Sequence, residues 1–143
     1  MVQASASVSI AATADQVWQL IGGFDSLPDW LPYIPSSKTT EGGRIRHLAN
    51  PNGEPIVERL EKFDNLARSY SYSIIRAPFP ITEYMATISV QPSDGGCACR
   101  VYWSASFTPK GVSDGEAQKL FQGIFEDGLK ALAARFSPAH PAQ

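Results

Sequence analysis

The chain opens on strict alternation. In "VQASASVSI", residues 2–10, small or polar side chains separate apolar ones at every second position, the period of a strand with one face turned inward. The period then changes. "TADQVWQLI" begins with Thr13 and carries Gln16 three residues later, the reciprocal capping pattern of a helix start, and Gly22-Gly23 supplies a permissive backbone where that helix should end. A second short helix is expected in "DSLPDWL", where Asp25 or Ser26 can cap and Pro28 fits only a first turn. Its apolar side chains Leu27, Trp30 and Leu31 are large for so short an element and require an apolar surface to lie on. Pro32 and Pro35 then force an extended exit.

From Ser36 to Lys110 alternation returns. "SSKTTE", "RIRHLA", "PIVERLEKF", "RSYSYSIIR", "TEYMATISVQP" and "CACRVYWSASFTP" read as six strands. They are separated by Gly42-Gly43, the segment 50–53, Asp64-Asn65, the segment 77–80 and Asp94-Gly95-Gly96. Each connection is short enough for a hairpin, so the sheet is expected to be an antiparallel meander. After Lys110 the spacing becomes helical: Ser113 and Glu116 repeat the capping box, and Leu120, Phe121, Ile124, Phe125, Gly128, Leu129, Leu132 and Phe136 recur at three and four. The pattern predicts one long helix, amphipathic throughout. One helix cannot cover a flat seven-stranded sheet. The predicted class is therefore α+β, a curled seven-stranded antiparallel sheet gripping a long C-terminal helix, with two short helices after strand 1 closing one end.

A length of 143 residues, 43% of them hydrophobic, suits one domain, here expected over residues 1–136, with "SPAHPAQ" at 137–143 a flexible tail. A net charge of -2, scattered along the chain, gives no footprint for nucleic acid. The first residues lack the basic start and apolar run of a signal peptide, and no stretch reaches the roughly 18 apolar residues of a membrane span. These features lead us to expect a soluble, cytoplasmic protein. Cys97 and Cys99 are too few for a zinc site and read as ordinary strand residues, with a redox pair as the alternative.

Alternation also names the interior. Val101, Trp103, Ala105 and Phe107 share one face, as do Tyr70, Tyr72 and Ile74, and Tyr84, Ala86, Ile88 and Val90. These aromatics can fill a solid core or line a cavity. Tyrosine suits the second role because it joins an apolar body to one hydrogen-bonding group. In "VERLEKF", Val57, Arg59, Glu61 and Phe63 fall on one face and Glu58 and Leu60 on the other, so Glu58 points inward. A carboxylate there must find a partner or shift its pKa upward. Glu58 is therefore either a structural hydrogen-bonding group beside a buried Arg or Tyr, or a polar anchor or general base. Arg59 and Arg76 read as surface residues, Arg76 within reach of a cavity mouth. His47 has no recognisable nucleophile to serve, and His47 with His140 is too little for a histidine metal centre. No HExxH, GxSxG or phosphate-loop pattern occurs, so no cofactor or metal is indicated. "GGFDSLPDWLPYIPS" and "APFPIT" are candidates for a lid over the mouth or for plain hydrophobic closure of the barrel end.

In order and content, "IAATADQVWQLIGGFDSLPDWLP", "VERLEKFDNLARSYSYSI", "PFPITEYMATISV" and "VYWSASFTPKG" resemble the START-like (SRPBCC) superfamily of helix-grip proteins, over about Val8 to Phe136. That superfamily includes the polyketide cyclase/dehydrase and lipid-transport proteins, and the chain is most similar to its small bacterial MxaD-like members. The resemblance implies an apolar cavity between sheet and helix and names no ligand. On it rests the expectation that a small hydrophobic molecule, lipid- or polyketide-like, binds between them. Trp18, Phe24, Trp30, Tyr72, Tyr84, Trp103, Phe107, Phe121 and Phe125 would shape the pocket, with Glu58 as the polar contact. The alternative is an aromatase/cyclase-type enzyme in which Glu58, helped by Tyr72 or Tyr84, moves a proton. A third reading is an interaction or stress module with a collapsed interior. Trp30 and Tyr33, if exposed, would suit a homodimer as readily as a lid.

Overall fold

Alternation over the first strand is realised as β1 (Val2–Ile10), with Ala4 and Ile10 buried and Gln3, Ser5, Ser7 and Ser9 exposed. In this computed structural model the described residues are 2–32, 34–49 and 55–136. The expected turn at 50–53, Tyr33, His140 and the tail at 137–143 therefore lie outside or mostly outside the described residues. Helix α1 (Ala14–Ile21) starts on the capping box read from the sequence: Thr13 Oγ1 accepts from the Gln16 N–H at 3.1 Å, and Gln16 Oε1 accepts from the Thr13 N–H at 2.9 Å. Gly22 ends it in an ordinary right-handed conformation (φ -72°), so backbone freedom is not its reason. A Cβ on Gly22 would sit 2.7 Å from both the Trp18 ring and the Trp18 carbonyl oxygen, so the requirement is room for that indole. A single turn, α2 (Leu27–Trp30), follows, with Pro28 in its first turn. The Ser26 hydroxyl does not cap it but donates back to Gly23 O.

The six remaining strands are β2 (Ser37–Thr40), β3 (Ile45–Leu48), β4 (Ile56–Asp64), β5 (Ser69–Arg76), β6 (Ile81–Ser93) and β7 (Ala98–Pro109). All pair antiparallel in the order β1-β7-β6-β5-β4-β3-β2: a meander from β2 to β7, with β1 added beside β7 from Val2↔Phe107 to Ile10↔Cys99. The long helix α3 (Asp114–Phe136) begins on the second capping box, Ser113 with Glu116, and packs along β1 and β7. At the outer edge of the sheet, Gln122 of α3 accepts the Ser5 N–H of β1 at 3.1 Å.

The inward faces predicted for β5, β6 and β7 are those observed. Tyr70, Tyr72, Tyr84, Ala86, Ile88, Val90, Val101, Trp103, Ala105 and Phe107 are all buried, and Ile74 is half-buried. On β6 a bulge between Thr82 and Met85, with Glu83 at φ +53°, lies just where Tyr84 turns inward. On β4 a bulge between Leu60 and Lys62 flips the parity. Phe63, expected on the outer face with Arg59, stands instead opposite Tyr70 with its ring 5.7 Å from that of Trp18.

Other expectations are corrected. Leu120, read as part of the core stripe of α3, is 38% exposed, while Ala117 takes a buried place on that face. Trp30 lies on an apolar surface as its size required: it is 3% exposed and packs with its ring 5.7 Å from Trp103, which removes its part in the argument for a dimer. Cys97 is exposed, Cys99 buried, and both are free. Among the described residues no helix is long and apolar enough to cross a membrane.

Candidate functional site

Where the curled sheet leaves α3, a cavity of about 270 Å³ remains. Leu27 and Leu31 of the α2 segment, with Ile34, close one side, and Leu48, Ile56 and Ile74 come from β3, β4 and β5. Phe79 reaches in from the β5–β6 connection. Phe121, Ile124 and Phe125 form the helix wall. Both segments read as candidate mouth elements therefore contribute to it.

Of the ten residues expected to shape a pocket, the cavity wall brings together Glu58, Tyr72, Tyr84, Trp103, Phe121 and Phe125. The other four pack away from it. Trp18 lies against Phe63 and Tyr70 and donates its indole N–H to Asn65 at 2.8 Å. Trp30 backs Trp103, and Phe107 is wedged between Tyr84 and Phe121 at ring distances of 6.1 and 4.8 Å. Phe24 lies under the guanidinium of Arg46, 4.1 Å from Cζ to ring centroid.

Arg46 is the residue that sequence reasoning passed over. It is 1% exposed, stands opposite Glu58 in the β3–β4 register and lines the cavity beside it. Its Nε and Nη2 both bond Glu58 Oε1, at 2.8 and 2.7 Å, while Nη1 donates to Phe24 O at 3.2 Å and Tyr70 Oη at 3.3 Å. The rings of Phe24, Tyr70 and Tyr72 surround the cation. The signal was present in "RIRHLA": Leu48 is a core residue, and Arg46, two positions earlier, shares its face. His47 points the other way, is exposed, and meets Thr40 Oγ1 at 3.1 Å. Arg59 and Arg76 are exposed and outside the cavity wall.

The pair is buried, and burial sets its electrostatics. Desolvation pushes the Glu58 carboxyl above its ordinary pKa, and the charge and hydrogen bonds of Arg46 recover only part of that shift. For Arg46 desolvation acts against the charge, but Glu58, Tyr70 and Tyr72 more than offset it and hold the guanidinium protonated. Burial likewise pushes the Tyr72 and Tyr84 hydroxyls well above the normal phenol range. Both stay neutral, able to donate or accept hydrogen bonds but not to act as phenolate bases. Tyr72 Oη accepts from Trp103 Nε1 at 3.0 Å, and the Tyr72 ring lies 6.1 Å from that of Tyr84. Among the described residues no cluster of three or more His, Cys, Asp and Glu could hold a metal ion.

A single family model, described as polyketide cyclase / dehydrase and lipid transport, matches residues 1–137. The chain belongs to this family. The chain is 58% identical to XoxI from Bacillus cereus, at a TM-score of 0.93 over 95% of this chain and 96% of that one. A START superfamily protein from Mycobacterium smegmatis matches at 18% identity and TM-score 0.77, covering 94% and 96% of the two chains. Norcoclaurine synthase from Thalictrum flavum, solved in complex with dopamine and hydroxybenzaldehyde, matches at 21% and 0.72, covering 99% and 88%. The last two likenesses establish the START-like helix-grip fold. No protein of curated function matches the chain.

Proposed function

We propose that this protein binds a small apolar or aromatic molecule in the cavity between the sheet and α3. The observation that carries this reading is the cavity itself: about 270 Å³ between the sheet and the helix, with an almost wholly apolar wall and one buried ion pair. Family membership supports it, since the family description joins cyclases and dehydrases with lipid transport. The free Cys97 and Cys99 suit the reducing cytoplasm, where we place the protein. The test is titration with a hydrophobic fluorescent dye, set against Ile74→Trp, which adds a ring at a half-buried position of the wall. Saturable binding by the parent, lost in this folded variant, is the expected result; equal binding by both sinks the proposal.

One observation favours a second reading. Glu58 stands at the cavity wall with its side chain 9% exposed and its carboxyl pushed upward by burial, the condition of a general acid or base poised nearer neutral pH. An aromatase/cyclase-type proton transfer on a polyketide-like substrate would use it. Turnover by the parent that Glu58→Gln abolishes while leaving dye binding intact would establish this reading, and unchanged turnover would dismiss it.

A further inference from the structure

The two charges at the cavity wall cancel. Arg46 commits Nε and one N–H of Nη2 to Glu58 and both N–H of Nη1 to Phe24 O and Tyr70 Oη, so four of its five donors are used inside the protein. A ligand carboxylate entering this cavity would find at most one N–H of a cation that Glu58 already neutralises, and would otherwise have to displace Glu58 or sit among apolar side chains, which is costly. The other groups left to read a ligand are neutral.

Their arrangement is directional. A phenol has two acceptor lone pairs and one hydrogen to give. Tyr72 Oη accepts from Trp103 Nε1 at 3.0 Å, which occupies one lone pair and leaves the hydroxyl hydrogen to offer to a ligand. Tyr72, Tyr84 and Trp103 all line the cavity, so the hydrogen-bonded pair of Tyr72 and Trp103 belongs to residues of its wall. The Arg46 guanidinium lies 4.6 Å from the centroid of the Tyr72 ring. A cation against the ring face draws electron density from the phenol and strengthens its O–H as a donor. A cavity of about 150 Å³ admits a benzene. The 270 Å³ here suits a molecule of about two rings.

On the reading that the cavity binds a small molecule, we infer that its ligand class is a neutral ring compound carrying a carbonyl oxygen, and that Tyr72 is the residue that selects it. Glu58, on this view, does not touch the ligand's polar atom but neutralises Arg46 and holds it against the Tyr72 ring.

Three naphthalenes of similar shape test the inference by calorimetric titration: 2-acetylnaphthalene, 2-isopropylnaphthalene and the 2-naphthoate anion. The parent should bind the ketone at least as tightly as the hydrocarbon, and the anion more than about tenfold more weakly than the ketone. Tyr72→Phe should weaken the ketone by about five- to tenfold while leaving the hydrocarbon unchanged. Hydrocarbon binding thus reports on the folding of the variant. Tyr84→Phe leaves Tyr72 its hydrogen and should preserve the ketone's standing. An anion bound as tightly as the ketone, or a Tyr72→Phe loss shared equally by ketone and hydrocarbon, overturns the inference and leaves the cavity reading intact. If none of the three binds, the hydrocarbon included, both fall together.

Discussion

Arg46 and Glu58 are the residues on which the interior turns, and neither is interchangeable alone. Removing one partner of a buried ion pair strands the other charge, at a cost of about 3–5 kcal/mol, whereas replacing both with apolar groups is often neutral or better. Arg46→Met should therefore lower stability in urea denaturation by that amount at neutral pH, and Arg46→Met with Glu58→Leu should regain most of it. The pH dependence has a defined sign. The folded-state pKa of Glu58 is raised above its ordinary 4.5, so the folded protein holds this proton more tightly than the unfolded chain. The contribution is full below about pH 4.5 and is lost as pH rises through the folded value. Measured against the double variant, which lacks this titration, the parent should lose stability as pH rises above about 4.5, and the penalty of Arg46→Met should shrink on acidification.

At the scale of elements, the sequence was legible where period two ran unbroken. Tyr70 and Tyr72, Tyr84 to Val90, and Val101 to Phe107 announced their buried faces, and both capping boxes closed as read. It was opaque where parity breaks or where an element is too short to show a face. The β4 bulge moved Phe63 across the sheet without leaving a residue type that marks it, and one turn of helix could not say that the inward Trp30 backs Trp103 instead of lining the cavity. Arg46 was hidden differently: a charged residue in a strand reads as solvated, and only its shared face with Leu48 says otherwise. At the site, the aromatic wall and Glu58 were visible, but the ion partner and the split between wall and packing residues required the third dimension. Gly22 belongs to this scale too. Gly22→Ala would drive a methyl into the Trp18 ring and carbonyl, so it should cost about 1–3 kcal/mol in thermal denaturation and red-shift Trp18 emission as the indole is pushed toward water.

For the whole molecule, an apolar cavity in the folded form couples occupancy to stability. A molecule that enters only the folded form at 100 times its dissociation constant should stabilise it by about 2.7 kcal/mol, and the melting temperature should climb with ligand concentration. The fold also bears on how the sheet meets its surroundings. An uncovered edge strand is a template on which another chain can pair. Here α3 lies along β1 and Gln122 occupies the Ser5 N–H, while the opposite edge, β2, is four residues long and carries Lys38. At Ser5 the helix thus acts as a stop as well as a wall, taking up an edge N–H to which a second copy would otherwise bond.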